Sequence, residues 1–112
     1  MNRRFDAYEL VLELIRALQP LLARLRMRDP DLSRQLRRAA SSVANNVSEG
    51  ARRRGADRLH HYSIAAGSTA EVRACLATAV AWGDLPSVAT LAVDALCDRE
   101  LAVLYRLRFP RS

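Results

Sequence analysis

The chain contains no lysine, only six aromatic residues, two cysteines, and four each of glycine and proline among 112 residues. Each shortage excludes something. Two cysteines outside any Cys-x-x-Cys pair cannot form a disulfide framework or a zinc knuckle, so Cys75 and Cys97 are expected as buried free thiols in a reducing cytosol. A 5% aromatic content against abundant alanine disfavours a sheet and suits closely packed helices. No apolar run approaches the ~20 residues that a membrane span requires. The N-terminal stretch MNRRFDAYELV meets acidic residues too early for a secretory leader, and the expected location is cytoplasmic. Glycine-rich phosphate loops, nucleotide-binding fingerprints and hydrolase elbows are all missing, so no cofactor and no enzymatic activity are expected.

What is present has a helical rhythm. At this length a single domain over residues 1–112 with one core is expected. The first helix is read from about residue 6 to residue 27, capped by Asp6, with Val11, Leu14, Ile15, Leu18, Leu22 and Leu25 on its apolar side. Pro20 should kink it without ending it, because the pattern resumes at Leu21. The run RDPDL restarts the chain as a helix, with Asp29 as N-cap and Pro30 at the first helical position. This second helix runs to about Arg53, before Gly55, and stacks Leu32, Leu36, Ala39, Ala40, Val43, Val47 and Gly50 on one stripe. The third spans roughly Asp57 to Trp82 and stops at Gly83, with a core face of Tyr62, Ala65, Thr69, Val72, Leu76 and Ala79. The fourth begins near Pro86 or Ser87 and runs to about Leu107, with Ala89, Val93, Leu96, Cys97, Leu101 and Leu104 inward. Short connections imply antiparallel neighbours, hence an all-α, up-down-up-down four-helix bundle.

A second stripe on the third helix, Ile64, Ser68, Glu71, Cys75 and Trp82, leaves that helix almost no solvent face. A helix apolar nearly all round is covered on more than one side, which points to an oligomer interface. On the second helix Ser42, Asn46 and Glu49 form a polar seam. The seams could pair Glu49 with Glu71 as acid and base, or hydrogen-bond across a helix or subunit contact with Gly50 and Gly67 allowing close approach. The structural alternative is preferred, since no nucleophile–base pair accompanies the carboxylates. His60 and His61 point about 100° apart on a helix and find no third ligand, so no metal site is expected.

All 18 basic residues are arginine, which reads as the mark of a GC-rich genome. Their placement says more. Between Arg24 and Arg58 lie ten arginines and four acids, a local excess equal to the +6 of the whole chain. Arg34, Arg37, Arg38, Arg52, Arg53 and Arg54 form a candidate contact for RNA or DNA, mainly through phosphate, because no aromatic platform lies among them. The alternatives are a solvated arginine-rich face and helix-end cations that complement the dipole.

Two stretches, SSVANNVSEGARR and AAGSTAEV, resemble the paired signature of the four-helix-bundle proteins encoded by intervening sequences in bacterial 23S ribosomal RNA genes, and by free-standing genes. The family pattern ends a helix in Ser-Ile-Pro-x-Asn-Ile-Ala-Glu-Gly and continues with Ala-x-Gly-Ser-x-x-Glu. Ser42, Val43, Asn46, Val47, Glu49 and Gly50 match the first part, and Ala65, Gly67, Ser68 and Glu71 the second. Ala44 stands where the family has proline, and Ser48 where it has alanine. The resemblance implies a cytoplasmic bundle forming homopentamers. It also implies kinship with accessory proteins of diversity-generating retroelements, which bind nucleic acid and a reverse transcriptase.

Overall fold

Four helices make up nearly all of the computed structural model, which describes residues 3–110, with side chains from residue 6 onward. They are α1 (Arg3–Arg28), α2 (Pro30–Arg52), α3 (Gly55–Ala81) and α4 (Leu91–Arg108), the last preceded by one 3-10 turn over Ser87–Thr90. Among the described residues there is no strand, as the composition leads one to expect. Met1 and Asn2, where the reading of the N-terminus begins, lie outside them.

The helix boundaries follow local chemistry. Asp29 alone separates α1 from α2, and its carboxylate accepts a hydrogen bond from the Leu32 backbone N–H at 3.1 Å. Pro30 follows at the first helical position, where its missing N–H would have had no partner. Asp6 is not a cap: α1 begins at Arg3, which leaves Asp6 within the first turn, where its charge complements the helix dipole. Pro20 does not stop α1, because Leu21 and Leu25 beyond it are buried and their packing offsets the lost hydrogen bond. Gly55 and Gly83 take φ of +59° and +80°, which a side chain would resist, and so turn the chain into and out of α3.

Helix α1 packs on α2 and α4, and α3 packs on the same two, closing a ring of neighbours. The molecule measures 45 × 22 × 19 Å, and a 26-residue helix is about 39 Å long, so the helices lie along the long axis. Every residue of the expected α2 stripe is buried, and so is every residue of the expected α3 core face.

The core has two lobes. The larger gathers Leu14, Leu18, Leu25, Leu36, Leu76 and Cys97 among others; the smaller holds Ala7, Val11, Val43, Val47, Tyr62 and Leu104. Ile15 and Val103 pack against both. Along α3 and α4 the change from one lobe to the other coincides with polar residues. On α3 they are Ser68 and Thr69, and on α4 it is Glu100, all buried. The Thr69 hydroxyl is satisfied by donating to the Ala65 carbonyl at 2.8 Å.

Candidate functional site

The six arginines expected to meet a polyanion divide into two groups. Arg34 is paired with Asp31, Arg52 with Glu49, and Arg53 with both Glu49 (3.2 Å) and Asp57 (3.0 Å). Arg37, Arg38 and Arg54 are exposed and form no ion pair among the described residues. Arg37 stands at the edge of a small pocket between α1 and α2, floored by Ile15, Leu18, Leu22 and Ala40. Exposed pairs are screened and readily exchanged, so Arg34, Arg52 and Arg53 remain able to meet phosphate, but only by giving up an internal partner.

Those pairs also bear on the acid–base alternative. The hydrogen bond from Arg53, with further help from Arg52, holds the Glu49 carboxyl below the usual carboxylate range. A general acid needs the opposite shift. Glu71 is exposed on α3 and has no hydrogen bond among the described residues.

The polar seam is a connected chain between α2 and α3. Ser42 Oγ and Ser68 Oγ are 2.8 Å apart, and Asn46 Nδ2 donates to the Ser42 carbonyl at 2.9 Å and to its hydroxyl at 3.3 Å. Because a carbonyl can only accept, the amide must present Nδ2 to it, which turns Asn46 Oδ1 toward His61 Nδ1 at 2.9 Å and makes His61 the donor there. His61 Nε2 lies 3.8 Å from Asp57. His61 therefore belongs to the seam, whereas His60 is exposed. Nothing in the local sequence pairs His61 with Asn46, since their meeting depends on how α2 and α3 cross. Glu49 is not part of this chain. Among the described residues no three metal-ligating side chains gather.

Gly50 completes the contact. A Cβ placed there would stand 2.5 Å from Tyr62 Cε1 and 2.7 Å from Cδ1, so the bare α2 backbone seats the Tyr62 ring. Gly67 does no such thing; a Cβ there would meet nothing within 4 Å.

The segments that build this α2–α3 contact fall inside a longer match: the model of the 23S rRNA-intervening sequence protein family covers residues 4–106. The chain belongs to that family. Neither a curated protein nor a solved structure matches it. In this intervening-sequence protein the signature residues Ser42, Asn46, Gly50 and Ser68 hold two helices together, while Glu49 and Glu71 face outward. With Ala44 in place of the family proline, α2 runs unbroken from Pro30 to Arg52.

The second stripe of α3 is split. Ser68 and Cys75 turn into the chain's own bundle, Cys75 being 3% exposed, whereas Ile64, Glu71 and Trp82 face outward, Trp82 at 75%. An interface through Cys75 is therefore corrected: its side chain is enclosed in the larger lobe of its own bundle. The outward face carries Ser63, Gly67, Ala70, Ala74, Ala77 and Ala81 at steps of three and four, ending beside Trp82. Val88 and Leu91, also exposed, lie just beyond the turn that follows Trp82. Both cysteines are free and buried as expected. Burial pushes both thiols up, that of Cys97 to about 12, which leaves them unreactive.

Sequence reasoning missed Glu100. In the run CDRELAV it reads as one more surface charge, yet it is fully buried, and neither carboxyl oxygen has a hydrogen bond among the described residues. Helical spacing carried the signal: Glu100 stands four residues after Leu96 and four before Leu104, on the inward stripe of α4.

Proposed function

We propose that this intervening-sequence protein is a non-enzymatic, homo-oligomeric scaffold whose arginine-rich surface contacts RNA or DNA, or a nucleic-acid-handling partner such as a reverse transcriptase. The unit is a single antiparallel up-down-up-down bundle domain, its assembly a pentamer, and its place the cytoplasm. The observation that carries the reading is the exposure of Arg37, Arg38 and Arg54 without acidic partners among the described residues, inside the segment that holds the chain's whole positive excess. Repeating that segment around a ring would multiply the field a polyanion meets. Assembly is supported by the outward strip of Gly67, Ala70, Ala74 and Ala77, narrow enough for a neighbouring helix to approach closely, with Trp82 at its end. No helix among the described residues is long and apolar enough to cross a membrane.

Phosphate binding releases counterions, so duplex affinity should fall with salt at a log–log slope of about −3 for three free arginines per chain. Changing Arg37, Arg38 and Arg54 together to alanine should flatten that slope more than changing Arg34, Arg52 and Arg53. No binding to structured RNA or duplex DNA at low salt would remove the nucleic-acid role. It would favour instead a purely structural assembly, the reading supported by the internal pairing of Arg34, Arg52 and Arg53.

A further inference from the structure

A carboxyl group sealed in a helix bundle without a hydrogen bond is costly in either protonation state, and far more so when charged. Glu100 is in that position. It has no exposed surface, lies one turn from Leu96 and Cys97 of the larger lobe, and is one turn from Leu104 of the smaller. Its oxygens are unsatisfied among the described residues.

The charged groups around it give no relief. On α1, Asp6, Glu9 and Glu13 line an open groove opposite Arg99 and Arg106 of α4, at the rim and not in the core. On α3, Arg73 is held by Asp98 at 2.6 Å, and Glu71 faces outward. The 3-10 turn, SVAT, carries no charge. Cys97, on α4 itself, is a neutral thiol.

We infer that Glu100 is a pH-sensitive latch: the bundle closes around its protonated carboxyl, and loss of that proton loosens α4 from α1 and α3. Burial alone pushes the group up to about 8 from an ordinary 4.5. Between those values the folded chain holds a proton that the unfolded chain has lost, so unfolding releases one proton. Stability therefore falls as pH rises through this window, and the unfolding constant gains up to tenfold per pH unit from this residue. Below about 4.5 both states are protonated and the effect vanishes; above about 8 it is complete. The alkaline limit is reached close to ordinary cellular pH, which makes α4 the helix whose packing responds first to a modest rise.

The test is urea unfolding of the full chain and of Glu100→Gln at pH 5.5, 6.5, 7.5 and 8.5, with Glu100→Leu as a second variant in case the amide fails to fold. His60 and His61 are present in all three proteins, so the difference between wild type and variant isolates Glu100. The expected result is a wild-type stability that falls across the series, and a variant that loses most of that fall. Hydrogen exchange at pH 8.5, corrected for intrinsic rates, should show α4 amides opening at least tenfold more often in wild type than in Glu100→Leu, with the two converging at pH 5.5. Equal pH dependence in wild type and variants, or exchange that accelerates uniformly in all four helices, would overturn the inference.

Discussion

Changing Gly50 to alanine sets two effects of known sign against each other. Alanine in a helix is favoured over glycine by roughly 0.5–1 kcal/mol, so a freely accommodated methyl would stabilise α2. Here the new Cβ would be 2.5 Å from Tyr62 Cε1, 2.7 Å from Cδ1 and 3.1 Å from Cζ, closer than carbon atoms tolerate. The ring cannot swing into solvent, because Tyr62 is fully buried among Val43, Val47, Ala65, Ala66 and Leu104. Overpacking of this kind costs about 1–3 kcal/mol. The clash should win, leaving a net loss of about 1–2 kcal/mol, which corresponds to a fall in Tm of roughly 4–9 °C for a chain of this size. Helicity followed by circular dichroism during thermal and urea unfolding would measure it. Gly67→Ala, measured at a dilution where the chain is monomeric, is the internal control, since its methyl would meet nothing within 4 Å in its own chain and should stabilise by roughly 0.5–1 kcal/mol. Placing Gly50→Ala on a Tyr62→Leu background should shrink the penalty, because the ring edge is gone. If Gly50→Ala proved neutral, or as stabilising as Gly67→Ala, the claim that α2 and α3 meet through bare backbone at this point would be wrong.

Two further expectations separate folding from assembly and test the turn between helices. Cys75→Asp should unfold the chain, since it places a charge in the larger lobe, while Trp82→Glu should leave the helical signal and its melting intact and lower the mass seen by light scattering. Asp29→Ala should cost about 1 kcal/mol in urea unfolding by removing the acceptor for the Leu32 N–H, with Asp29→Asn recovering most of it.

Much of the fold was legible because helical periodicity is a local property. The spacing of Leu32, Leu36, Ala39, Ala40, Val43 and Val47 describes a buried stripe whatever α2 packs against, and Asp29-Pro30 marks a helix start through its own backbone chemistry. The signature around Asn46 and Gly50 likewise pointed to the α2–α3 contact and to the family. Less could be read where two faces of one helix compete for the interior. On α3, Ser68 and Cys75 share a stripe with Trp82, yet the first two are buried and the last, standing at the C-cap beyond the helix, is exposed.

The sequence by itself determined that four helices form, where α2 starts, which residues fill most of the core, and to which family the chain belongs. Only the tertiary structure decided which arginines keep a free charge, that His61 joins Asn46, that Tyr62 needs Gly50 bare, and that the Glu100 carboxyl finds no hydrogen bond among the described residues. The physical reason is the same throughout. Periodicity sets a residue's angle on its own helix, but burial and partnership depend on the rotation and height of the neighbouring helices, which no local pattern encodes.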